Sequence, residues 1–153
     1  KDQHFTQPPA RYTEATLVKA MEERGVGRPS TYASTVATIE AREYVIKKDK
    51  RLFPTPLGRV VTELMIEHFN DVIDVEFTAN MEHELDEVES GKVFWKDVLR
   101  GFYKGFHQEM LDAEKALEGT RIKVPDEVSD EVCEICGKPM LVKSGRLGRF
   151  LAC

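Results

Sequence analysis

Two groups of side chains in this sequence have types and spacings that carry chemistry: an arginine and hydroxyl set around residue 30, and three cysteines near the end. The run Gly27-Arg28-Pro29-Ser30-Thr31 puts a cation, two hydroxyls and backbone amides at the start of a predicted helix, where the helix dipole favours an anion. Arg42 follows toward the far end of the same helix, placed to meet a phosphate backbone that tracks along it. A guanidinium suits that task because its planar fork pairs with two phosphate oxygens at once. The same residues also fit a plain helix start with an exposed arginine, and both readings stay open on spacing alone. Lys47, Lys48, Lys50 and Arg51 add positive charge further on and read as auxiliary contacts.

The second group is Cys133-Glu134-Ile135-Cys136 and, after sixteen intervening residues, Cys153. These are three ligands of a four-cysteine zinc ribbon, in which thiolates around Zn²⁺ replace a hydrophobic core, and the sequence ends before a fourth. The flanking Gly137-Lys138-Pro139 and Gly148-Arg149-Phe150-Leu151 favour zinc over a redox pair. Arg146, Arg149 and Phe150 mix charge with an aromatic face that suits stacking on single-stranded bases, while Phe150 fits equally well inside the ribbon. The acidic residues from Asp71 to Glu89, Glu82 and Asp86 among them, read as a solvated helix face without chemistry. His4, His68, His83 and His107 are scattered, and no tyrosine stands in a nucleophile's setting.

The elements that position these groups are legible from caps and periodicity. A helix begins at Thr13, with Tyr12 and Leu17 as a hydrophobic staple, and ends at Gly25; a second follows the turn at 25–30, with Tyr32, Val36 and Ile39 at helical spacing. Two helices joined by a tight glycine turn suggest a helix-turn-helix. Tyr44-Val45-Ile46 and Leu52-Phe53 predict a hairpin with Lys47 to Arg51 as its basic tip, a candidate wing. Thr55-Pro56 starts a third helix, another follows Thr78, and a longer one carries Trp95, Leu99, Phe102, Phe106 and Met110. Residues 119–131 read as a linker and 132–153 as a truncated ribbon.

Composition bounds the rest. The net charge is −5, but residues 1–60 hold eleven Lys/Arg against seven Asp/Glu, whereas 61–153 hold eleven against twenty. A basic first part can bind phosphate even on an acidic chain, although two solvated faces of unequal sign give the same numbers. No apolar run approaches a membrane span and no signal peptide opens the sequence, so it reads as cytoplasmic and as cut from something longer.

Gln3-His4-Phe5-Thr6, Pro8-Pro9-Ala10-Arg11-Tyr12-Thr13-Glu14-Ala15, Leu17-Val18-Lys19 and Gly25-Val26-Gly27-Arg28-Pro29-Ser30-Thr31-Tyr32-Ala33-Ser34 closely resemble the stretch of bacterial type IA DNA topoisomerases that follows the strand-passage gate. Phe77-Thr78-Ala79-Asn80-Met81-Glu82 and the cysteine tail also fit that family. The resemblance implies that residues 1–118 belong to the region holding single-stranded DNA next to the cleavage site, with DNA-contact roles for Arg28, Ser30, Thr31 and Arg42. It implies a parent isomerase, located at the bacterial nucleoid, that relaxes negative supercoils through a 5′-phosphotyrosine and religation, with Mg²⁺ and without ATP. The catalytic tyrosine and the acidic Mg²⁺ cluster are expected upstream of Lys1, which leaves this piece inert alone. Cys133, Cys136 and Cys153 correspond to the start of the family's zinc-ribbon region, an incomplete Zn²⁺ site.

The expected architecture is therefore mainly α: a winged-helix-like part over about 13–69, further helices over about 78–118, and the short incomplete ribbon. The expected partners are DNA, mainly single-stranded, and the remaining domains of the parent, with no membrane. The rival reading is an independent winged-helix regulator that reads duplex DNA with residues 30–42. A third is a protein-interaction module built on the acidic helices.

Overall fold

The computed structural model describes residues 5–145 and 148–153, with Ser144 described by its backbone only. It divides into two units, residues 1–119 and 120–153.

In the first unit, helix α1 (Glu14–Glu23) is closed at its start by reciprocal bonds, Thr13 N–H donating to Thr16 Oγ1 at 2.8 Å and Thr16 N–H to Thr13 Oγ1 at 3.2 Å. It ends where Gly25 takes φ 69° and the Val26 N–H returns to the Met21 carbonyl at 2.9 Å, a left-handed stop that glycine makes without a Cβ penalty. Helix α2 (Pro29–Ala41) follows with proline in its first turn, where the missing N–H is not needed.

Strands β1 (Val45–Lys48) and β2 (Arg51–Pro54) pair antiparallel with Ile46 opposite Phe53 and Lys48 opposite Arg51. Asp49 and Lys50 both have positive φ, 48° and 63°, which makes a two-residue turn whose twist matches the strands. The basic tip is thus shorter than the expected 47–51, and Lys47, Lys48 and Arg51 are strand residues on alternating faces.

Helix α3 (Pro56–His68) is capped by Thr55, whose Oγ1 accepts from the Gly58 N–H at 2.9 Å and donates to the Glu43 carbonyl at 2.6 Å. The Thr55 N–H donates to the Tyr44 carbonyl at 3.0 Å, so the base of the hairpin is fastened to the start of α3. Gly58 is buried against this junction, where a Cβ would overlap the Tyr44 carbonyl oxygen. A short helix α4 (Asn70–Ile73) leads to α5 (Val75–Glu89) and α6 (Trp95–Leu117). The helix expected after Thr78 starts earlier because Asp74 is the stronger cap: its Oδ1 accepts from the Glu76 N–H at 2.6 Å, and the Thr78 hydroxyl donates to the Asp74 carbonyl.

Packing in this unit is thin. Among the described residues Val36, Leu52 and Ala113 are its buried hydrophobic side chains, and α6 meets α3 and α5 through an aromatic ladder. Phe102 and Phe106 stack at 5.2 Å, Phe69 lies 6.0 Å from Phe106, and Phe77 lies 5.9 Å from Phe102. Trp95, Leu99, Tyr103 and Met110 on α6 stay about half exposed. Among the described residues no helix is long and apolar enough to cross a membrane.

The second unit is a three-stranded antiparallel sheet in the order β3-β4-β5, from Glu127–Val132, Pro139–Gly145 and Gly148–Ala152. Strand β3 takes residues that the sequence assigned to the linker, because Glu127 and Val128 pair with Val142 and Leu141.

Candidate nucleic-acid interface and metal centre

The start of α2 is built by local bonds. Gly27 turns with φ 81°, and Thr31 Oγ1 accepts from the Arg28 N–H and donates to the Arg28 carbonyl, both at 3.0 Å. The Thr31 hydroxyl therefore closes the helix start, and Ser30 beside it is exposed. Along the rest of α2 the hydroxyls fold back onto their own helix. Ser34 and Thr35 each donate to the Thr31 carbonyl at 2.9 Å, and Thr38 donates to the Ser34 carbonyl at 2.7 Å. The exposed residues from Pro29 to Arg42 include no carboxylate. Arg42 is the exposed C-cap, where a cation is favoured by the helix dipole, and it is in no ion pair among the described residues. With thirteen residues between them, Arg28 and Arg42 stand about 20 Å apart along the axis.

Arg28 is differently placed from Arg42. As N-cap it stands at the positive end of the dipole, and α5 supplies the compensation. Its Nη2 meets Asp86 Oδ2 at 2.7 Å and the Glu82 carbonyl at 3.0 Å, while Nη1 meets the Gly27 carbonyl at 3.1 Å and Glu82 Oε2 at 3.5 Å. The hydrogen bond to Asp86, with the charges of Asp86 and Glu82 behind it, holds the guanidinium pKa above its ordinary value against partial desolvation. Of five N–H donors, the four on the terminal nitrogens face these partners, which leaves the Nε–H. Sequence reasoning gave Glu82 and Asp86 no role. Their four-residue spacing on α5 marks a shared face, but nothing local to them announces a partner more than fifty residues earlier.

The hairpin separates its cations by pleat. Lys47 Nζ pairs with Glu14 Oε2 of α1 at 2.8 Å, which raises the lysine pKa. Arg11, which sequence reasoning gave no contact role, lies with its guanidinium 4.7 Å over the Phe53 ring.

In the second unit the Cys133 N–H donates to the Lys138 carbonyl and the Gly137 N–H to the Cys133 carbonyl, both at 2.9 Å, which curls the first two cysteines around a tight knuckle. Cys153 arrives after β5, and the three sulfurs lie within 4.8 Å of one another, with Cys136 and Cys153 at 3.4 Å. Amide hydrogen bonds from Cys136 and Ile135 bring Cys133 down to about 7, whereas the neighbouring thiols push Cys153 up to about 11. Soft donors gathered at this spacing suit three corners of a tetrahedral Zn²⁺ site, and a divalent cation would relieve the mutual repulsion of the thiolates. Arg149 pairs with Glu127 at 2.6 Å, and the half-exposed Phe150 ring covers Gly145. Arg146 lies outside the described residues.

This arrangement has relatives of known kind. The family model of the DNA topoisomerases matches residues 1–100. The solved full-length topoisomerase I of Thermotoga maritima is 44% identical, with a TM-score of 0.71, over 97% of this chain and 24% of that one. The chain belongs to the bacterial type IA DNA topoisomerases, and it spans about a quarter of the length of the solved relative.

Proposed function

We propose that this chain is part of the single-strand-binding surface of a type IA topoisomerase, with α2 laid along the DNA next to the cleavage site. Arg28 and Ser30 stand at one end, the Thr31 hydroxyl closes the first turn, and Arg42 holds the other end. The observation that carries this reading is the exposed side of α2, small and hydroxylated along its length, without an exposed carboxylate, closed at one end by the exposed Arg42 and at the other by Arg28, whose charge Asp86 and Glu82 balance. Small side chains let a phosphate backbone approach closely, and Arg42 offers it an unshared fork. The α1–turn–α2 pair and the hairpin serve as helix-turn-helix and wing. Cys133, Cys136 and Cys153 hold Zn²⁺ together with a fourth ligand from elsewhere.

In the parent, a tyrosine outside these residues attacks a DNA phosphodiester, forms a 5′-phosphotyrosine, and is displaced by the 3′-hydroxyl after strand passage. One phosphodiester replaces another, so the relaxation of negative supercoils needs no ATP, and Mg²⁺ is its expected cofactor at a site outside this chain. The chain alone is inert, and its setting is the bacterial nucleoid. An independent duplex-reading regulator does not account for 44% identity over 97% of the chain.

Fluorescence anisotropy with matched single-stranded and duplex oligonucleotides tests this reading. Tighter binding of the single strand, weakened by Arg42→Ala, is expected; a preference for duplex would overturn it.

A further inference from the structure

We infer that the outer face of the β1–β2 hairpin is a second nucleic-acid contact, made by Arg11, Lys48 and Arg51 on phosphates that continue past Arg42. This rests on the DNA-binding reading above and extends it to a hairpin whose cations the sequence rated as auxiliary contacts at best.

The argument starts from the pleat. Residues directly opposite in an antiparallel pair share a face, and alternate residues along a strand share it too. The register Ile46 to Phe53 and Lys48 to Arg51 therefore puts these four side chains on one side. Lys47 and Leu52 occupy the other, where Leu52 is buried and Lys47 is neutralised by Glu14. One face of the hairpin is thus packed and electrically balanced. The other presents Lys48 and Arg51, both exposed, beside a half-exposed Ile46.

The extended segment before α1 adds a third cation. The Leu52 N–H donates to the Tyr12 carbonyl at 2.8 Å, which fastens that segment alongside β2, and Arg11 next to it lays its guanidinium over Phe53. The ring holds the guanidinium against the sheet on the face that carries Lys48 and Arg51, where its charge adds to theirs. The nearest carboxylate along the strands is Asp49, confined to the turn at the tip. Charge complementarity selects an anionic partner. Position selects the same strand that α2 holds, since β1 begins three residues after Arg42.

The test compares the whole chain with three variants on single-stranded oligonucleotides, short and long, across a salt series. The double variant Lys48→Ala/Arg51→Ala is expected to lower the salt slope by about 1.4, about 7-fold in affinity over the range from 50 to 200 mM salt, on the long oligonucleotide. Arg11→Lys keeps its charge but loses the stacked fork, and is expected to weaken binding with the slope retained. Lys47→Ala, on the opposite face, is expected to leave the slope unchanged. If the chain binds the strand but the double variant binds with the wild-type slope, the hairpin contact is overturned while the α2 reading stands. If the wild-type chain binds no strand at low salt, both fall. All three variants replace exposed side chains, and an unchanged thermal unfolding midpoint shows that the fold is kept.

Discussion

Replacing Asp86 with asparagine is expected to tighten single-strand binding and make it more sensitive to salt. Asp86 is the closest partner of Arg28, at 2.7 Å, and asparagine keeps its shape while removing its charge. Paired with the carboxylates of Asp86 and Glu82, Arg28 would meet a phosphate with its charge already balanced and displace few counterions. With Asp86 neutral, a phosphate takes its place beside Nη2, and one further full contact forms. For a single strand each such contact steepens the salt slope by about 0.7, which over 50 to 200 mM salt amounts to about 2.5-fold in affinity. The gain is therefore expected mainly at low salt. Anisotropy titrations at several salt concentrations measure it, with Glu84→Gln as a control that removes an equal charge from α5 at a residue outside the Arg28 pair. In an Arg28→Ala background the gain from Asp86→Asn should vanish. A gain of the same size in that background, or an equal one from Glu84→Gln, would refute the reasoning and leave only a general loss of negative charge.

Further outcomes follow from the joints of the fold. Gly58→Ala sets a methyl against the Tyr44 carbonyl and is expected to destabilise the first unit by about 1–3 kcal/mol, read as a lower unfolding midpoint in denaturant. Thr55→Ala removes the α3 cap and the bond to the Glu43 carbonyl, and is expected to cost about 0.5–2 kcal/mol in the same assay. With a chelator present, the metal-free ribbon is expected to gain stability as pH rises from about 7 toward 9.0, where Cys133 is a thiolate in the fold but still protonated when unfolded. It is expected to lose stability from 9.0 toward about 11, where Cys153 stays protonated only in the fold. Thermal melts followed by circular dichroism across pH test this, and a flat profile counts against the clustered thiols. Zn²⁺ is expected to raise the melting temperature of the wild type and not of Cys133→Ser.

The sequence announced what is local. Thr13, Gly25 and Thr55 each act within a few residues, through caps and a left-handed turn, and their helices begin or end where those residues stand. The hairpin was visible in its β-prone runs, and its tip was overestimated because the positive φ of Asp49 and Lys50 closes it in two residues. At α5 two caps competed, and Asp74 prevailed over Thr78 through a short bond to the Glu76 N–H. The environment of Arg28 was not legible, since its partners come from a helix that reaches it only through the packing of the whole unit. Arg11 escaped notice for the same reason: its ring partner is more than forty residues away. The cysteines needed only their spacing to be recognised, yet β3 beside them depends on pairing with β4 and had no alternation of its own to betray it.

The hydroxyls of α2 give the surface a kinetic character. Ser34, Thr35 and Thr38 each direct their proton to a carbonyl of their own helix, so only oxygen lone pairs face outward. Such a row repels phosphate oxygens weakly until a hydroxyl rotates, and it accepts readily from water or from the amino edges of bases. If α2 carries a strand as proposed above, the strand would be held at the Arg42 end and rest on a bearing along the hydroxyls. On that reading the strand would advance by a nucleotide without breaking a stiff bond at each step, a property suited to a surface that has to hold a strand and then release it.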